Sequence, residues 1–323
     1  MEEKSFTIFY DGGDLPTAKL YRDSETGMIF REFKLDTGLG INPVKICQIT
    51  DMHFNALNDE DRKNPELAYT ETCRTWLKGG ASTLSCDRAM KYSEYADGAV
   101  ITGDVLDFMT NEAARLMWEH IWNRYPETLI TCGNHDYRYN MQTKRPEQVP
   151  IEERYKILES YWKHDLYYES RLVGGRVMLI SLDNGRDIYY DRQVEKLRRD
   201  IELARREGYV ILIFQHSPIS TGKAEDENLM ALKAYDTDRW DFYRAIGYEA
   251  TGATAEVYRL ITENADVVKG IFVGHLHSAF YSEVLASYET EGGERVSAVI
   301  PQIALEANVY DNQAGHVLKI EVT

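Results

Sequence analysis

Cysteine is scarce. Cys47, Cys73, Cys86 and Cys132 are the only four in 323 residues, and no two form a C-x-x-C pair. That excludes a disulfide framework and a zinc-thiolate site. Buried free thiols in a reducing compartment are the expectation, and Cys47 and Cys132 sit within or at the end of apolar runs. No stretch approaches the roughly 18 to 20 apolar residues needed to span a bilayer, and Met1-Glu-Glu-Lys lacks the basic-then-apolar build of a signal peptide. A soluble cytoplasmic protein with no membrane partner is expected. There is no basic run either, and the formal net charge is −16. Such a chain repels a phosphate backbone at long range, which disfavours non-specific nucleic-acid binding, although bound cations can invert the potential locally. Internal repeats, low-complexity tracts and a clear linker are absent. What remains is 43% hydrophobic and 28% charged, a globular balance with material for a substantial core.

Along the chain, residues 1–40 read as an N-terminal hairpin extension. Ser5 to Tyr10 alternates like a strand, Asp11-Gly-Gly-Asp14 reads as a turn, and Gly27 to Leu35 as a second strand. From Val44 short apolar runs recur: Val44 to Ile49, Gly98 to Ile101, Thr128 to Thr131, Arg176 to Leu182, Tyr209 to Phe214 and Val267 to Val273. Each has the length of a buried strand. Helical patterns lie between several of them, at Glu112 to Asn123 with Thr110 or Asn111 as cap, Ile151 to Trp162, and Asp191 to Glu207. Alternation of this kind predicts an α/β architecture with both sheet faces covered. Glu283 to Val322 reads as strands without helices, to be placed in a second sheet stacked on the first. Residues 220–256, rich in Tyr, Asp and Glu, read as a cap insertion in a domain running from 41 to 323.

Polar clusters at the ends of these runs carry the chemistry. They are Asp51-Met52-His53, Gly103-Asp104, Gly133-Asn134-His135-Asp136, Gln215-His216 and Gly274-His275-Leu276-His277. In open α/β sheets that edge is where ligands bind. Carboxylate, imidazole and amide donors suit Mn, Fe, Zn or Ni better than thiophilic metals. In extended segments alternate residues point the same way, so Asp51 and His53 would converge on one ion, and His275 and His277 would reach neighbouring ones. The glycines before Asp104, Asn134 and His275 permit close backbone approach and unusual dihedrals. Taken singly, each cluster is also an ordinary strand-end turn. Turns do not require this residue order.

The ordered set D-x-H, G-D, G-N-H-D, H, G-H-x-H resembles that of the calcineurin-like metallophosphoesterase superfamily, from Asp51 to His277. The resemblance implies a four-layer αββα sandwich of two mixed sheets flanked by helices. It also implies two divalent metal ions: Asp51, His53 and His277 on the first, Asn134, His216 and His275 on the second, and Asp104 bridging. His135 would assist the leaving group, with Asp136 orienting it from behind. Two cations about 3.5 to 4 Å apart would activate a bridging water and neutralise phosphate charge. Purple acid phosphatases in the superfamily carry Tyr three residues after the bridging Asp. Here that residue is Asp107, so no iron-tyrosinate chromophore is expected. The glycine blocks look more like those of bacterial phosphodiesterases related to class III cyclic-nucleotide enzymes.

Beyond the metal ligands, Asn134, His135, Tyr137, Arg138 and Arg186 are candidate substrate contacts, Arg186 as a phosphate clamp. His120, between Trp118 and Trp122, reads as packing or surface, and His164 and His316 have no partner cluster. Most of the remaining tyrosines read as half-buried packing. The expected function is hydrolysis of small phosphomonoesters or phosphodiesters, nucleotide-like ones preferred. A nuclease and a non-catalytic scaffold are the alternatives, and the acidic charge counts against the nuclease.

Overall fold

The structure is a computed structural model. It describes residues 2–7, 17–25, 27–38, 40, 42–73, 79–138, 149–226, 247, 249–308 and 315–323. Its strands are β1 (Glu2–Thr7), β2 (Thr17–Arg22), β3 (Ile29–Leu35), β4 (Val44–Ile49), β5 (Gly98–Thr102), β6 (Leu129–Thr131), β7 (Tyr168–Val173), β8 (Val177–Leu182), β9 (Val210–Phe214), β10 (Val268–Val273), β11 (Phe280–Glu289), β12 (Arg295–Ala304) and β13 (His316–Val322). The helices are α1 (Pro65–Cys73), α2 (Gly79–Lys91), α3 (Asn111–Met117), α4 (Ile151–Tyr161), α5 (Asp191–Glu207) and α6 (Gly252–Thr262).

Two mixed sheets form, in the orders β1-β2-β3-β13-β4-β5-β6 and β11-β12-β10-β9-β8-β7. They face each other across Val44, Ile46, Val100, Leu129, Leu318 and Ile320 on one side and Leu179, Leu212, Phe214 and Phe272 on the other. The outer face of the first sheet packs on Met90 of α2, Met117 of α3 and Leu158 of α4. The second sheet packs on Leu197 and Ile201 of α5 and on Val257 and Ile261 of α6. The result is the αββα sandwich anticipated from the resemblance. Because β8 and β9 are buried along their whole length, they read as apolar runs rather than alternating ones, β9 unbroken and β8 interrupted only by Ser181.

Several expectations are corrected. The tail strands β11 and β12 do belong to the second sheet, but β13 enters the first, parallel to β3 and antiparallel to β4. The expected helix through Asn123 stops at Met117 and widens into a π-helical turn, Trp118–Trp122. Within it the Trp118 indole donates to the Tyr161 carbonyl at 2.8 Å and Trp122 to Thr128 at 3.1 Å. Thr110 is the cap, its hydroxyl accepting the Ala113 N–H at 2.9 Å. Helices α1, α2 and α6 and strands β2 and β7 are additional, β2 standing between the two strands expected to form the N-terminal hairpin, and α6 begins inside the expected cap. The rest of that cap, 227–246 and 248, lies outside the described residues, as does the expected turn at 11–14. Strands β1 and β2 pair antiparallel, Glu2 opposite Arg22. Cys47, Cys86 and Cys132 are buried free thiols, and burial pushes Cys47 up to about 12. Among the described residues no helix is long and apolar enough to cross a membrane.

Candidate metal centre

Strands β4, β5 and β6 run parallel in the first sheet, and β9 and β10 run parallel in the second. Their carboxyl ends meet at one place. Pairing continues past the strand ends as a short ladder: Asp51 N–H to Gly103 O at 3.1 Å, His53 N–H to Asp104 O at 2.9 Å, Phe54 N–H to Val105 O at 2.7 Å, and Asp107 N–H to Phe54 O at 3.0 Å. Two side chains tie the sheets together there. Gln48 Nε2 donates to Val273 O at 2.9 Å, and His216 Nδ1 donates to Thr102 O at 2.8 Å.

The loops converge by a different device from the extended alternation expected of them. Asp51, His53, Asp104, His275 and His277 have φ of 52°, 47°, 51°, 64° and 53°. Left-handed backbone at non-glycine residues costs of order 1 kcal/mol each and collects at functional sites. Gly133 and Gly274 supply space rather than unusual dihedrals. A Cβ on Gly133 would lie 2.2 Å from Asp104 Oδ1, and one on Gly274 2.6 Å from Asp51 Oδ2.

Seven predicted side chains come together in two halves. In the first, His277 Nε2 lies 3.1 Å from Asp51 Oδ1 and 3.2 Å from His53 Nε2. In the second, Asn134 Oδ1 is 2.9 Å from both His216 Nε2 and His275 Nδ1. Asp104 faces both, its Oδ2 3.3 Å from His216 Nε2 and 3.7 Å from His53 Nε2. The donor atoms of Asp51, His53, Asp104 and His277 all lie within 4.8 Å of one another.

This donor set fits cations. Asp51 Oδ1 is buried without a hydrogen-bond partner. With its Nδ1–H given to a carbonyl, a neutral His216 turns a lone pair on Nε2 toward the oxygen of Asn134, an acceptor facing an acceptor. The imidazoles register the demand for positive charge. Burial alone would push His53 down, yet Asp107, Asp51 and Asp104 hold it up at about 10. Burial likewise opposes the charge on His216, but Asp104 and Asp51 hold it at about 9. Burial favours neutral Asp51 and Asp104, and the surrounding histidines hold both carboxyls below their ordinary range. His275 goes the other way, pushed to about 3 by burial and by His216.

The family model for calcineurin-like phosphoesterases matches residues 44–279. The chain belongs to that family. It is a calcineurin-like phosphoesterase, and its cluster of Asp51, His53, Asp104 and His277 has the donor types and spacing to hold a divalent metal ion. Similar solved structures include a dimetal phosphatase from Danio rerio, 13% identical over 83% of this chain and 89% of that one, TM-score 0.45. A calcineurin-like phosphoesterase from Bacillus subtilis is 15% identical over 82% of each chain, TM-score 0.37. A phosphopantetheinyl hydrolase from Mycobacterium tuberculosis is 11% identical over 82% of this chain and 90% of that one, TM-score 0.39. No curated protein sequence matches at a significant level.

Around this phosphoesterase centre the other predicted residues divide. His135 is beside it, its ring 4.5 Å from that of His53. Burial holds His135 below its ordinary value, against the pull of Asp104 and Asp107. Asp136 does not orient it. The Asp136 carboxylate instead accepts the backbone N–H groups of Asp104 at 3.0 Å, Gly133 at 2.7 Å and Leu106 at 2.8 Å, clamping two of the loops together. The carboxylate beside His135 is Asp107, with Oδ1 3.1 Å from His135 Nδ1 and 3.1 Å from His53 Nδ1. Its spacing, three residues after Asp104, was the available signal.

Tyr137 is also not where a substrate contact would be. Its side chain is buried against Tyr155 and donates to Gly185 O at 3.2 Å. Arg138 is half-buried, its N–H donated to His135 O at 2.9 Å and its carbonyl accepting the Met109 N–H at 2.8 Å. Arg186 lies over the Tyr155 ring and pairs with Glu152 at 3.5 Å.

Proposed function

We propose that the chain hydrolyses small phosphate esters, monoester or diester and nucleotide-like, with two divalent ions drawn from Mn, Fe, Zn and Ni. The observation that carries this is the pair of facing donor groups, an orphaned carboxylate oxygen and close-set imidazole nitrogens, sharing Asp104. Asp51, His53 and His277 would hold one ion, Asn134, His216 and His275 the other, with Asp104 between them. When bound, the ions supply a water of lowered pKa and neutralise phosphate charge.

The chain's own groups complete the reaction. The Asp107 main-chain carbonyl takes the Nδ1–H of His135 at 3.2 Å, with the Asp107 carboxylate 3.1 Å away, and so presents Nε2 to the ester. An arriving phosphate anion favours the protonated ring, which can then give its Nε2 proton to the leaving oxygen. Asp136 keeps the Asp104 and Asn134 loops in register through its backbone bonds. The strongly acidic charge supports a small substrate over a nucleic acid.

The test is metal-reconstituted turnover of a monoester, a diester, a cyclic nucleotide and a nucleoside diphosphate, each with Mn. Turnover of at least one is expected. Silence on all four with both ions bound overturns the proposal.

A further inference from the structure

We propose that Asn55 is a positioning residue: its amide locks Asp107 in the orientation in which one carboxylate oxygen serves His53 and His135 together. The inference rests on the site reading above and extends it to a residue outside the D-x-H block.

The geometry is specific. Asp107 is fully buried. Its Oδ1 is hydrogen-bonded to His53 Nδ1 at 3.1 Å and stands 3.1 Å from His135 Nδ1, which also donates to the Asp107 main-chain carbonyl at 3.2 Å, and its Oδ2 accepts the Asn55 Nδ2–H at 2.9 Å. Rotation of a carboxylate about its terminal torsion is soft. Turning about that torsion would carry Oδ1 away from both Nδ1 atoms, and the Asn55 bond to Oδ2 opposes the turn. Asn55 is itself anchored on both sides. Phe54 is in the ladder to Val105 and Asp107, and the Ala56 carbonyl accepts the Thr110 hydroxyl, the cap of α3, at 2.7 Å.

The consequence falls on two atoms at once. A carboxylate accepts only, so in the neutral rings that hold metal or meet substrate it favours hydrogen on Nδ1 and the lone pair on Nε2, for His135 together with the Asp107 main-chain carbonyl. For His53 that lone pair points at His277 Nε2, 3.2 Å away. For His135 it is the atom offered to the substrate. One amide therefore couples the aim of a metal-facing ring to the aim of the ring beside the ester.

The test compares full-length wild type with Asn55→Ala, Asn55→Asp and Asn55→Gln. Each is titrated with Mn by calorimetry, assayed with Mn for kcat and KM, and examined metal-free by NMR for the imidazole Nδ1–H protons. Loss of an outer partner of this kind costs about 10- to 100-fold in metal affinity or activity. Asn55→Ala should weaken one Mn step and lower kcat with KM nearly unchanged, and should lose or shift the two Nδ1–H signals. Asn55→Asp, which keeps the shape but brings a like charge, should be at least as poor. Asn55→Gln, which keeps the donor, should recover part of the loss. Wild-type kcat and both Mn affinities in Asn55→Ala overturn the proposal, as does an Asn55→Gln no better than alanine. If Asn55→Ala fails to fold, the Asp and Gln pair decides. Were the wild type silent on every ester, the hydrolase reading would fall, while the Mn steps and the Nδ1–H signals would still decide Asn55.

Discussion

The two halves of the centre are built alike in shape and unlike in charge. The first has its own carboxylate, Asp51, and a second carboxylate, Asp107, behind His53. In the second, the oxygen donor is the neutral amide of Asn134, and His216 is backed by the Thr102 carbonyl. Asp104 faces both. A unit charge at about 4 Å is worth roughly 4 kcal/mol per cation charge at an effective dielectric near 20, so even a fraction of that separates the two cation affinities by more than tenfold. Burial and the neighbouring His216 push His275 to about 3 against the pull of Asp104 and Asp51. The difference teaches that a symmetric-looking pair of sites is expected to fill in order, the Asp51 half first.

Removing the element the halves share should do most damage. Asp104→Asn keeps the shape and deletes the charge, and should cost one of two metal equivalents by elemental analysis and more activity than any other single change. Two retained equivalents would mean that the halves are independent. Next comes the ring that belongs to neither. His135→Ala should lose about 10²- to 10⁴-fold in kcat while keeping both ions, and full activity on several substrates would take His135 out of the reaction. Asn134→Asp sharpens the comparison by giving the second half a carboxylate of its own. Calorimetric Mn titration should then show two steps drawn closer than in the wild type. A wild type that already binds in one step removes the argued asymmetry.

Metal removal has a smaller, global effect. Each ion that binds only the folded chain stabilises it by about 2.7 kcal/mol when present at 100 times its dissociation constant. Chelation should therefore lower the melting midpoint, and Mn should restore it. An unchanged midpoint would show that the buried carboxylates and imidazoles satisfy one another without cations.

Much of this centre was legible in the residues because its ligands stand directly after strands. Strand β9, buried on both faces, leaves an unbroken apolar run, and the Gln215-His216 pair that ends it is conspicuous. Helix α2 was not legible. It opens Gly-Gly-Ala-Ser-Thr, in which only Ala favours a helix, so propensity gives no signal there. Strand β13 was assigned to the wrong sheet because its partners, β3 and β4, lie far back in the chain, and periodicity carries no information about partner. Asp136 and Asp107 exchanged roles for a related reason. Adjacency to His135 suggested Asp136, but the loop turns so that Asp136 faces backbone N–H groups, while Asp107 arrives from the neighbouring strand end.

The same turn decides the smallest effect. Tyr137 follows the His135 block directly, and that nearness suggested a hand on the substrate. The Arg138 N–H bonded to His135 O closes a turn that carries the Tyr137 side chain inward, against Tyr155 with ring centroids 5.1 Å apart. Its hydroxyl reaches only Gly185 O, at 3.2 Å, in the loop that backs Gly133. Tyr137→Phe removes one buried hydrogen bond and no ring contact, so about 0.5 to 1.5 kcal/mol of stability should go, read by denaturant unfolding. KM should stay where it was for every ester turned over. A stable Tyr137→Phe variant with a raised KM would return Tyr137 to the substrate side. It would also mean that the loop after His135 opens when ester binds.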